Sequence, residues 1–151
     1  MIKLIPIALC AALVVTACAP KGGGLPTATL DAAIGSSIGD PTTCVLIADR
    51  PTGKVLYTYG ANFNCVRALP ACDRPGTLSA GQALGLAAAG RGASCASNPD
   101  ATRSVGWAEG VITGSTPPMI YSAVMEGQTA LPGIEMNARL AQVFSNTGLS
   151  H

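Results

Sequence analysis

Histidine occurs once in this chain, as the last residue, His151, and charged residues make up only 11% of its 151 positions. A lone imidazole at that place is a poor basis for a proton relay or a histidine metal site. The low charge content, with a formal net charge of +1, provides neither a basic face for nucleic acid nor a polybasic stripe for lipid. No nucleic-acid partner is therefore expected. Aromatic residues are equally scarce, limited to Tyr57, Tyr59, Phe63, Trp107, Tyr121 and Phe144. A core built mainly from alanine and valine buries less area per residue, so part of the stability must come from elsewhere. No Cys-x-x-Cys pair is present, which disfavours a four-thiolate zinc site, and no cofactor is expected. Gly22-Gly23-Gly24 is preceded by no strand and followed by no Gly-Lys-Ser/Thr, so it is not read as a phosphate loop.

What the chain does have begins at its start. Lys3 precedes an apolar run from Leu4 to Val15 interrupted only by Pro6. That run is shorter than the roughly 20 residues needed to cross a bilayer core. It fits the hydrophobic region of a secretory signal, with small residues at the cut. Val15-Thr16-Ala17-Cys18 resembles the lipobox of bacterial lipoproteins. The resemblance implies that residues 1–17 are removed and that Cys18, acylated with diacylglycerol and a further chain such as palmitate, becomes the new N-terminus. It also implies a membrane partner held through lipid. Ala19 stands where many enterobacterial lipoproteins kept in the inner membrane carry aspartate, which implies outer-membrane placement facing the periplasm.

Export to an oxidising compartment changes the reading of the cysteines. Cys10 falls in the signal and Cys18 in the lipobox, leaving Cys44, Cys65, Cys72 and Cys95, an even number expected to form disulfides. Four cysteines allow three pairings. The short loop containing Pro70 favours Cys65–Cys72, which would leave Cys44 with Cys95.

Residues 18–26, the acylated cysteine and a glycine- and proline-rich stretch, read as a flexible tether. Residues 27–151 read as one small domain. Leu30, Ala33, Ile34 and Ile38 recur at helical spacing, with Thr27 or Thr29 available as a cap and Gly39 as a stop. Two β-rich runs, from Cys44 to Asp49 and from Lys54 to Tyr59, flank Arg50-Pro51-Thr52-Gly53. Proline presets the first central position of a turn and glycine takes the left-handed position that rejoins the strands, so a hairpin is predicted. The stretch from Asn62 to Pro75 reads as a disulfide-clipped loop. A buried helix is predicted from Thr77 to Ala89, starting at Thr77 or Ser79, followed by a polar loop from Gly92 to Arg103. Strands from Val105 to Thr113 and from Met119 to Glu126 form a second hairpin, and a helix from Ile134 to Thr147 stops at Gly148. The expected fold class is α+β: an antiparallel sheet from two hairpins with helices packed on it, stiffened by disulfides.

Three pieces of this domain resemble the α/β scaffold of the serine β-lactamase and penicillin-binding transpeptidase superfamily. Asp49-Arg50-Pro51-Thr52-Gly53-Lys54-Val55-Leu56-Tyr57 is similar to its first hairpin. The stretches from Val105 to Gly110 and from Tyr121 to Gly127 resemble its closing strands, and the helix ending at Gly148-Leu149 resembles its C-terminal helix. The superfamily needs a serine three residues before a lysine at a helix start, where the amine accepts the hydroxyl proton. Here that stretch reads Ser79-Ala80-Gly81-Gln82, and glutamine has no titrating nitrogen. Neither Ser-x-Asn nor Lys-Thr-Gly occurs, Arg103-Ser104-Val105 being the nearest approach to the latter. The kinship implies a reduced relative without the catalytic machinery.

Other residue types that carry chemistry have plainer roles. Ser79 is expected to cap a helix. Glu109 and Glu126 read as solvated strand ends, with Glu109 expected opposite Ala123. Trp107 is expected in the core and Lys54 in water. No catalytic or metal-binding residue is assigned. The expected function is that of an anchored envelope lipoprotein acting as a binding or structural module, with an envelope protein or peptidoglycan as partner. A degenerate serine hydrolase with residual peptidoglycan-related activity is the alternative.

Overall fold

The computed structural model describes residues 24–151. The signal segment, the lipobox and Cys18 therefore lie outside the described residues. A five-stranded, wholly antiparallel sheet forms the middle layer, in the order β2-β1-β7-β6-β5. Its strands are β1 (Cys44–Asp49), β2 (Val55–Tyr59), β5 (Arg91–Ala96), β6 (Ser104–Ile112) and β7 (Met119–Gly127). The first hairpin joins the second through β1 and β7, Cys44 pairing with Val124 and Asp49 with Met119. The α+β class is thus realised.

Helices α1 (Thr27–Ile38) and α4 (Gly133–Asn146) cover one face of the sheet. Leu30, Ile34 and Ile38 from α1 meet Met136, Leu140 and Phe144 from α4 over Val45, Ile47, Ala123 and Met125. Leu25 also lies against this core. Neither Thr27 nor Thr29 caps α1. Pro26 occupies the cap position without a side-chain bond, and the amide of Gly39 closes the other end on Gly35 O.

The opposite face is covered by what lies between β2 and β5. This part contains α2 (Asn62–Val66), the short pair β3 (Leu69–Pro70) and β4 (Thr77–Leu78), α3 (Ala80–Leu84) and a 3₁₀ turn, Ala87–Ala89. The single long helix expected from Thr77 to Ala89 is therefore broken into pieces. Gly85 and Gly90 end them, the latter at φ +67°, where glycine carries no steric penalty. The Asn62–Pro75 loop likewise contains α2 and β3. Beneath these segments lie Leu46, Ala48, Val105, Trp107 and Val124.

The first hairpin turns as expected. Gly53 has φ +69° and donates its amide to Asp49 O at 2.8 Å, while the Asp49 carboxylate accepts from the Thr52 amide. An irregularity between Ile47 and Ala48 shifts the pairing so that Ala48 opposes Val55.

The polar stretch from Gly92 to Arg103, expected to be a loop, supplies an edge strand instead. Arg91 to Ala96 have few β-branched or aromatic side chains, and their extended form comes from pairing with β6. Gly92 is required there, because a Cβ would come within 2.9 Å of the Ile134 amide nitrogen.

The cysteines pair as Cys44–Cys65 and Cys72–Cys95, which overturns the favoured Cys65–Cys72 and Cys44–Cys95. The physical reason is strand order. Cys44 on β1 and Cys95 on β5 are separated by β7 and β6, about 14 Å at the usual interstrand spacing. A disulfide cannot reach across more than about 7 Å between Cα atoms. Helix α2 brings Cys65 to the start of β1, while the following chain carries Cys72 across the sheet to β5.

Candidate functional site

Ser79 precedes α3 with extended backbone, φ −96° and ψ 165°, and forms a reciprocal cap with Gln82. The Gln82 amide donates to Ser79 Oγ at 3.4 Å, and the Ser79 amide donates to Gln82 Oε1 at 2.9 Å. Both side chains the resemblance singled out thus satisfy free backbone groups at a helix start. Beside them lies an open cleft of about 380 Å³, lined by Leu46, Val55, Thr58, Asn62, Val66 and Ser79 among others. None of its lining side chains titrates in the physiological range. Val55, Leu56, Phe63 and Val66 are among the most exposed large apolar residues described, and they form or flank this cleft. Lys54 is exposed at the end of its turn, and exposed His151 donates its amide to Thr113 O.

The two glutamates are not solvated strand ends. Glu109 is 1% and Glu126 3% exposed, both on the sheet face covered by α3. Glu109 pairs with Ser122 rather than Ala123, a register one residue from expectation. The cross-strand Arg91 donates from Nε to Glu109 Oε1 at 3.1 Å, and Nη2 reaches the same oxygen. Its Nη1 serves Ala71 O and the Asp73 carboxylate. The guanidinium lies 5.7 Å from the centre of the Trp107 ring, and fully buried Trp107 donates Nε1–H to Pro70 O at 2.7 Å. Glu109 Oε2 has no hydrogen-bond partner among the described residues. Burial, reinforced by the Glu109 charge, pushes the Tyr121 hydroxyl up to about 12.

Glu126 sits at the other end of the same face. Its carboxylate accepts from Arg103 Nε and Nη2 at 2.8 Å each, from Ser97 Oγ at 2.7 Å and from Arg67 Nη2 at 3.3 Å. The Arg103 hydrogen bonds, reinforced by Ser97 and the two positive charges, hold its pKa at about 2 despite burial. Asp73 is likewise held at about 2, chiefly by Arg74 and further by Arg91. Carboxylates fixed this low in ion pairs do not shuttle protons at neutral pH.

Two features escaped the reading of the sequence: the Arg91–Glu109 pair under Trp107, and the apolar cleft between β2 and α2. An arginine in a polar stretch gives no sign that it will face a buried glutamate eighteen residues on. Among the described residues, no three histidine, cysteine, aspartate or glutamate side chains converge as a metal site, and no helix is long and apolar enough to cross a membrane. Comparison with known proteins finds no matching family model, no matching curated protein and no matching solved structure.

Proposed function

We propose that this protein is a lipoprotein of a bacterial cell envelope, anchored through Cys18, whose folded domain binds or braces a partner and catalyses no reaction. The observation that carries the non-catalytic part is the reciprocal cap between Ser79 and Gln82. It occupies the one serine placed like a nucleophile, and the adjoining cleft offers no base to take its proton. The anchor rests on Lys3, the apolar run to Val15 and Val15-Thr16-Ala17-Cys18. Acylation at sulfur and nitrogen supplies more than the single chain that binds a membrane only marginally. Outer-membrane placement facing the periplasm follows from Ala19, and an envelope protein or peptidoglycan is the partner such a location offers. Two disulfides joining covering segments to the sheet suit a domain that works in an oxidising space.

Detergent partitioning and mass spectrometry of the wild type and Cys18→Ser test this reading. The wild type should partition with detergent and carry acyl chains on Cys18, whereas the variant should remain unprocessed or leave the membrane. A serine variant that is processed and still partitions with detergent would defeat the proposal.

A second reading, a degenerate relative of β-lactamases and penicillin-binding proteins with residual peptidoglycan-related activity, is favoured by one arrangement. The last helix packs on β6, one of the two strands that kinship likens to closing strands. Labelling by a fluorescent β-lactam or fluorophosphonate, lost in Ser79→Ala, would favour it over the first.

A further inference from the structure

We infer that the end of the sheet formed by the turns at 50–54 and 113–118 is the surface that lies against anionic lipid headgroups. This rests on acylation of Cys18 and goes beyond it by assigning the domain an orientation. Six residue steps separate Cys18 from Gly24, at most about 22 Å of fully extended chain. Gly24, Leu25 and Pro26 lie beside Thr116 and Pro117, so the described chain starts at this end. The Arg50 amide donates to Pro118 O at 2.9 Å, which brings the two turns together. The opposite end of β7, at Gly127, is eight residue steps from Met119, about 27 Å along a strand, and the tether is too short to bring that end down while Gly24 stays above it.

The near end also has suitable chemistry. Arg50 and Lys54 are exposed there, and although Asp49 keeps its charge while accepting from the Thr52 amide and hydroxyl, the turn carries one more positive charge than negative. Each cation near an anionic leaflet contributes favourably within a Debye length. Phe63 and Val66 flank Cys65, which is bonded to Cys44 at the far end of β1. The orientation directs them away from the bilayer.

The full acylated protein in vesicles of phosphatidylglycerol and phosphatidylethanolamine tests this. Fluorophores are placed at Thr116→Cys and, separately, at Asp100→Cys, an exposed position beyond the end of β5, with a headgroup nitroxide lipid as quencher. Quenching at position 116 and its absence at 100 are expected, with loss of quenching at 116 in R50E/K54E while the protein stays anchored. Equal quenching at both positions or stronger quenching at 100 would overturn the orientation and leave the anchor standing, and unchanged quenching at 116 in R50E/K54E would overturn the part assigned to anionic headgroups. Release of the wild type from the vesicles would overturn the anchor and the orientation together.

Discussion

Arg91 on the outer strand β5 faces Glu109 on β6 across one register position, and its Nε and Nη2 both serve a single carboxylate oxygen, Oε1. The same guanidinium holds Ala71 O and Asp73, so it joins the covering loop to the sheet. The side chains of Arg91 and Glu109 are 9% and 0% exposed, which makes the pair sensitive to losing either member.

Arg91→Ala should destabilise the domain by about 3–5 kcal/mol, because it leaves a buried carboxylate uncompensated. Replacing both residues with methionine should cost much less, since the desolvation of both charges is then removed as well. Urea unfolding of Arg91→Ala and of the double methionine variant measures this. A double variant as unstable as Arg91→Ala would refute the account.

Stability should fall in acid as Glu126 titrates. Its folded pKa, about 2, lies below the ordinary value of 4.5. The contribution is therefore complete above pH 4.5 and is lost as pH falls towards about 2. It is on the order of 2 kcal/mol once solvent screening at the half-exposed Arg103 is discounted. In Glu126→Gln the melting temperature should vary less over that window than in the wild type, as calorimetry at stepped pH would show.

Non-reducing peptide mapping should recover Cys44 joined to Cys65 and Cys72 joined to Cys95, with no free thiol among the four. Each closes a loop of just over twenty residues, worth about 3 kcal/mol in the chain-entropy model. Cys44 and Cys65 are buried, whereas Cys72 and Cys95 are partly exposed. Mild reductant should therefore open Cys72–Cys95 first, and alkylation timed against mapping would detect the order. A map containing Cys65–Cys72 would contradict the observed strand order.

Ser79→Ala should cost about 1 kcal/mol, the usual worth of a helix cap. It should leave the partner-binding behaviour of the protein unchanged. Thermal melts together with copurification of envelope neighbours from wild-type and variant cells check both parts. Loss of a neighbour with the fold intact would assign the serine a role outside the cap.

Much of the local structure was legible in the amino-acid order, because its causes are local. Pro51 and Gly53 determine a turn whatever surrounds them. The serine-to-glutamine spacing of Ser79 and Gln82 carries its own cap, and the β-rich runs of β1, β6 and β7 mark sheet before any partner is known. The number of cysteines and their destined oxidation were legible too, as was the burial of Trp107 in a chain short of aromatics. Other features depend on which segments meet, and the tertiary structure alone decided them. Arg91 to Ala96 become a strand only because β6 offers its edge, and the disulfides pair across whichever segments the strand order brings within reach. Glu109 and Glu126 are buried because Arg91, Arg103 and Arg67 arrive from other parts of the chain. Contacts between residues distant in sequence are set by layer packing and strand order, and neither has a local signature in the residues that make them.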